Sequence, residues 1–387
     1  MHALLAGLGL ASFVAWAWLV LGQGRFWLCD QRLDGSDPEP AAWPPVTAVV
    51  PARDEAAVIG RAVASLVTQD YPGTLRVIVA DDESSDGTGD LARRAAEAAG
   101  RADRLTVVRT PPRPPGWVGK MWAVHTGVAA AGADPAWLLL TDADVEHGPR
   151  SLRRLVAAGE ARGLHLVSHM VLLHCASFWE RLLVPAFVYF FQQLYPFPWV
   201  NDPRSRVAGA AGGCMLVRRP SLEGAGGIAA IRGEVIDDCA LGRRLKAQGP
   251  VFLGLTTTER SIRPYANLGE IWDMVARSAY TQLRHSPLLL AGTAFGLALL
   301  YVVPVALVLG WPWHGDATAA ALGAAVWLLM AATWLPTLAL YGRTPLLALA
   351  LPAAGVLYAA MTLDSARRHR RGRGAVWKGR AGAGSAA

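Results

Sequence analysis

Residues 3–22, ALLAGLGLASFVAWAWLVLG, hold no charged side chain. About 20 such residues cross a bilayer as a helix, where every backbone group must be satisfied internally. A cleaved leader would need a basic start, a shorter apolar core and a small-x-small site. The run lacks these, so an uncleaved anchor over 1–24 is expected. Two more spans read from 288–309 and 319–340. A third, 346–363, is shorter and contains Pro352. A membrane region over 288–365 with two to three crossings is expected. Composition agrees: 53% of residues are hydrophobic, more than in an ordinary soluble chain.

Arg25 and Arg32 follow the first span, whereas only His2 precedes it. The positive-inside rule places the region after the span in the cytoplasm. The linker at 25–45 is rich in proline. Three later crossings would leave a basic tail, 366–387, outside. We expect that tail in the cytoplasm, with the last segment re-entrant or interfacial. Beside apolar spans its partner is anionic lipid rather than nucleic acid. Cys29, Cys175, Cys214 and Cys239 form no C-x-x-C pair, so they read as buried thiols.

Between the spans the pattern changes to alternating strands and helices over 46–275. Val46–Val50, Leu75–Val79 and Leu105–Val108 are short β-branched runs. Helical spacing follows each, at 55–69, 90–100 and 121–131. A fourth strand, Trp137–Thr141, runs straight into Asp142-Ala-Asp144. This alternation predicts a parallel, doubly wound sheet, with ligands at the C-terminal strand ends. In an extended chain residues i and i+2 share a side, so Asp142 and Asp144 could address one cation. A hard divalent ion takes one or two carboxylates plus substrate phosphates. Further on, the aromatic stretch at 175–200 suits an interfacial helix or plain core packing. Residues 276–287 read as a second interfacial segment.

Four motifs stack in this one region. They are Pro51-Ala52-Arg53-Asp-Glu55; Asp81-Asp82 with Asp86-Gly-Thr88; Gly119-Lys120 followed by Asp142-x-Asp144; and Asp237-Asp238 opening a helix to Gln248. Their order resembles the family-2 inverting glycosyltransferases of the GT-A fold, over residues 46–285. Pro114–Ala123, Tyr280–Ser286 and the layout of spans resemble the membrane-bound, ceramide-glucosyltransferase-like branch, and most closely the bacterial hopene-associated glycosyltransferases.

The resemblance implies a Rossmann-like, mostly parallel GT-A domain in the cytoplasm, on one N-terminal and two to three C-terminal transmembrane helices. It implies a nucleotide-sugar donor, usually a UDP-sugar, and a lipid acceptor, hopanoid-related in the nearest branch. Pro51, Ala52, Arg53, Glu55 and Asp82 would hold nucleobase and ribose. Asp86 and Thr88 serve equally as turn formers. Lys120 would neutralise the diphosphate or pair with a carboxylate. Asp142 and Asp144 would bind Mg²⁺ or Mn²⁺. Asp238, beside Asp237, would be the base that deprotonates the acceptor hydroxyl. Relatives carry a Gln/Arg-x-x-Arg-Trp motif, and here Gln282 and Arg284 stand nearest to it, without its spacing or its Trp. A processive polysaccharide synthase, or a catalytically dead membrane scaffold, are the competing readings.

Overall fold

The computed structural model describes residues 1–372 and the backbone of 376–377 and 380–381. The remainder of the expected basic tail lies outside the described residues. The chain divides into two compact units. The first comprises 1–29, 175–198 and 264–373, and the second 30–174, 199–263 and 374–387.

The second unit is built on one sheet. Its strands are β1 (Val46–Ala52), β2 (Leu75–Asp81), β3 (Leu105–Arg109), β4 (Trp137–Thr141), β5 (Val145–His147), β6 (Leu166–Leu172), β7 (Cys214–Arg218) and β8 (Val251–Ser261). They stand in the order β3-β2-β1-β4-β7-β6-β8-β5. The first four, with the helices between them, match the alternation in the sequence. β1 pairs parallel with both β2 and β4, and β2 with β3.

Outside that half only β6 and β8 pair parallel among the described strands, so the expected parallel sheet holds in part. β7 runs antiparallel to β4 and β6, and β5 antiparallel to β8, so the sheet is mixed. β6 and β8 escape a search for apolar runs because polar residues interrupt them. Those residues are satisfied inside: the Ser168 hydroxyl donates to the Ala211 carbonyl at 3.1 Å, and His169 Nδ1 lies 3.2 Å from Glu259.

Helix Gly119–Ala130 lies on the parallel half, where a Cβ at Gly127 would sit 2.4 Å from Val49. Only glycine permits that approach. Residues 30–45 are strapped to the same unit. Arg32 bridges to Leu255, and Asp37 and Glu39 accept bidentate bonds from Arg162 and Arg153.

The first unit is helical. Among the described residues, four helices could by length and composition cross a membrane: His2–Gly22, Pro287–Leu309, Ala317–Leu340 and Pro345–Arg370. Pro352 does not break the last one, because it falls in the first turn of its α-helical part, where proline is tolerated. Helix Phe178–Leu194 opens on a capping box of Ser177 and Glu180. Tyr189 reaches the Thr333 hydroxyl at 2.8 Å, and Tyr358 donates to the Leu183 carbonyl at 2.9 Å. One face of this helix is therefore core among the spans. Every large hydrophobic residue that is exposed among the described residues belongs to this unit.

Candidate active site

The site gathers at the C-terminal ends of β1, β2 and β4 in the second unit. The loops after β1 and β2 brace each other. Asp54 and Glu83 both take positive φ, 50° and 56°, uncommon for such residues and a sign of a constrained loop. The Asp54 N–H donates to Ser84 Oγ at 3.0 Å, and its carboxylate accepts from the Ser85 N–H at 2.8 Å. Asp86 accepts from the Ala56 N–H at 2.9 Å and from Thr88, while Asp81 accepts from the Ser84 N–H at 2.9 Å. Asp81, Asp86 and Thr88 thus build the loops. Asp82 is buried, accepts from Thr110 at 3.0 Å and lies 3.6 Å from Arg53.

Asp142 and Asp144 do not sit in an extended segment. Residues 143–144 make a turn closed by Val145 N–H donating to the Asp142 carbonyl at 3.2 Å. The shared-side argument therefore fails locally, and each acid has its own basic partner. Lys120 Nζ is 2.9 Å from Asp142 and 3.6 Å from Asp237. Arg263 Nε donates to Asp144 at 3.1 Å, and the same guanidinium pairs with Glu55. Burial raises the Asp144 pKa and the Asp142 charge adds to it, against the pull of Arg263. Burial also works against a charged Lys120, but Asp142, Asp237 and Asp238 outweigh it and keep the amine protonated.

Asp238 stands in the first turn of helix Asp237–Lys246. Its carboxylate accepts from the Gly212 N–H at 3.0 Å and the Cys239 N–H at 2.7 Å. Burial, then the neighbouring Asp237, push its pKa up to about 6, with Lys120 and the two amides opposing. Gly212 passes close to both Asp238 and Lys120, where a Cβ would lie 3.4–3.6 Å from their side chains. Pro51, Lys120, Asp142, Gly212, Asp237 and Asp238 line one pocket.

The structure thus brings together Glu55, Lys120, Asp142, Asp144, Asp237 and Asp238, and adds Arg263, which sequence reasoning missed. Arg263 lies beyond β8, in no motif, and nothing local distinguishes it from the chain's other arginines. Gln282 and Arg284 fold within the first unit, where Gln282 accepts from the Tyr195 hydroxyl at 2.9 Å and Arg284 takes φ 52°. Lys246 is structural: its amine donates to the carbonyls of Trp199, Val200 and Val207.

Glu55, Asp142 and Asp144 offer hard oxygen donors, and the like-charge strain on Asp144 is one a divalent cation would relieve. The donor set fits such an ion. Behind it, His147, Cys214 and Glu259 are buried with one ligand atom each within 4.8 Å, close enough to hold a metal. Glu259 already accepts from Thr256 and Thr258 and faces His169. These bonds also make it a polar brace beneath the turn.

A family profile, glycosyltransferase like family 2, matches residues 44–253. No curated protein matches the chain in sequence. Among solved structures, a mannosyltransferase from Pyrobaculum calidifontis, in complex with GDP-Man and Mn²⁺, is 21% identical with a TM-score of 0.52. That match covers 95% of this chain and 99% of that one. A glucosyl-3-phosphoglycerate synthase from Mycobacterium tuberculosis, with Mn²⁺, UDP and glucosyl-3-phosphoglycerate, is 22% identical with a TM-score of 0.40, covering 62% of this chain and 79% of that one. At such identities the first likeness speaks for the fold alone.

Proposed function

The chain belongs to glycosyltransferase like family 2, and from that premise we propose that it moves one sugar from a nucleotide sugar to a lipid acceptor, with inversion, at the cytoplasmic face of a bacterial inner membrane. The observation that carries this reading is the placing of Asp238 beside Asp142 in one pocket. Its carboxylate is held by two backbone donors and has a pKa near 6. Such a group is ionised at neutral pH yet basic enough to accept a proton from a hydroxyl.

In this reading Asp238 takes the proton of the acceptor hydroxyl as its oxygen attacks the anomeric carbon. The bond to the nucleoside diphosphate breaks, and the diphosphate leaves with the electron pair. Mg²⁺ or Mn²⁺ on Asp142 and Asp144 would stabilise the charge developing on it. Lys120 adds a fixed positive charge between Asp142 and Asp237. Asp82 and the loop from Pro51 to Glu55 bind the nucleoside, while Gln282 and Arg284 are assigned to the donor by the family resemblance alone. The family resemblance of the motifs makes the donor a UDP-sugar and the acceptor a hopanoid-related lipid.

Membrane attachment draws on the four long apolar helices and on the confinement of exposed hydrophobic side chains to their unit. Full-length protein in detergent, incubated with UDP- and GDP-sugars and a native lipid extract, should release nucleoside diphosphate and yield a lipid heavier by one hexose. Long glycan chains would favour the processive synthase, and no release from any donor would favour the scaffold. Reporter fusions after residues 45 and 372 should both read cytoplasmic, the last apolar helix then being re-entrant or interfacial, and an external reading after residue 45 would overturn the topology and the function together.

A further inference from the structure

Arg263 has no part in this chemistry, yet its guanidinium bridges two of the site's carboxylates, Asp144 and Glu55. The Ile262 N–H donates to the Asp144 carbonyl at 2.8 Å, and the Ser261 hydroxyl donates to the Asp144 carboxylate at 3.0 Å. The end of β8 is thereby fastened to the turn that carries Asp144. From there the Arg263 guanidinium spans to two acids, Asp144 at 3.1 Å and Glu55. Its backbone is anchored, while its side chain remains 36% exposed on a long, flexible stem. Lys120 is more enclosed, at 22%.

A guanidinium and a divalent ion cannot hold the same carboxylate oxygen. An ion that takes Asp144 Oδ2, alone or together with Oδ1, must push Arg263 off that oxygen. A guanidinium released at that spot has one obvious new partner, because its planar fork matches phosphate oxygens as well as carboxylates. We propose that Arg263 is an exchangeable counter-ion: it closes the Asp144–Glu55 pair before the donor arrives, and passes to the donor's diphosphate when the metal takes its place. Metal alone then binds against a competitor. Metal with a nucleoside diphosphate binds without that opposition, because the displaced cation is satisfied. Donor and metal are thus coupled through one side chain, and neither is held firmly without the other.

This rests on the reading of Asp142 and Asp144 as the metal site, and the test separates the two. Calorimetry on full-length protein in detergent would measure Mn²⁺ binding alone and with UDP or GDP. The native protein should bind Mn²⁺ weakly alone and roughly tenfold more tightly with the nucleotide. In Arg263→Gln, with its thermal melt checked, Mn²⁺ alone should bind several-fold more tightly, and the nucleotide effect should shrink towards none. A gain in metal affinity is a result that a merely structural arginine would not give. Arg263→Lys, which keeps a charge but not the fork, should keep the competition and lose most of the coupling. Unchanged or weaker Mn²⁺ binding in a folded Arg263→Gln overturns the exchange. Undiminished Mn²⁺ binding in Asp144→Ala would instead remove the metal site on which it rests.

Discussion

Asp144 and Asp238 share one site, and burial raises the pKa of both, but their partners differ in kind. Asp144 is held by side chains, the Arg263 guanidinium and the Ser261 hydroxyl. Asp238 is held by backbone N–H groups of Gly212 and Cys239. Side chains can turn away, whereas a backbone donor at a helix start cannot without unwinding. A carboxylate that must exchange a cation is thus given removable partners. One that must stay aimed while its protonation changes is given fixed ones. The same contrast separates the donor side of the reaction from the acceptor side.

The largest effect should come from the donor side. Asp144→Ala removes a ligand from the metal and leaves Arg263 paired with Glu55 alone. Loss of a metal that stabilises leaving-group charge costs several kcal/mol, so turnover should fall by roughly a thousandfold or more. EDTA should do the same to the native protein, and added Mn²⁺ or Mg²⁺ should reverse it. Turnover assays with and without chelator check both, and full activity in EDTA would break the contrast at its donor end.

A smaller effect should appear in the pH profile. In the proposed reading Asp238 acts as a base only when ionised, and burial pushes its pKa up to about 6. Turnover should therefore fall about tenfold for each pH unit below that value and level off above it. Stability should run the other way. A carboxyl whose folded pKa exceeds its ordinary 3.8 favours folding below that value, and the benefit is lost as pH rises through about 6. Asp238→Asn should then be more stable than the native protein at pH 8, by up to about 3 kcal/mol, and converge with it near pH 4, which thermal melts at the two pH values check.

The smallest effect concerns Asp237, whose charge helps raise the Asp238 pKa. Asp237→Asn should shift the acid limb of the profile to lower pH by less than about one unit. A collapse of turnover with an unshifted limb would move the base to Asp237.

How far the sequence foretold this depends on the kind of residue. The parallel half of the sheet was legible because β4 is an unbroken apolar run and β1 and β2 are interrupted only by Thr47 and Arg76, with turn or motif residues at their ends. β6 and β8 were not, since Ser168, His169, Thr256 and Glu259 look like loop residues until the folded chain supplies their partners. In the site, Asp142, Asp144 and Asp238 were legible as paired acids in order along the chain. Their geometry was not: the turn at 143–144 replaces the extended segment, and Lys120 and Arg263 separate the acids electrostatically. A lysine in the sequence did not by itself mark function. Lys120 enters the site, whereas Lys246 serves three carbonyls of its own unit.

The most direct test compares Asp238→Asn with Asp82→Asn in the same preparation, measuring nucleoside diphosphate affinity by calorimetry and turnover with the best donor. Asp238→Asn keeps its shape and cannot take the proton, so turnover should drop by about 10²–10⁴-fold with affinity nearly unchanged. Asp82→Asn should weaken donor binding instead, since a nucleoside contact helps ground and transition states alike. Normal turnover in Asp238→Asn, or a loss that merely follows weaker nucleotide binding, would contradict the assignment of the base.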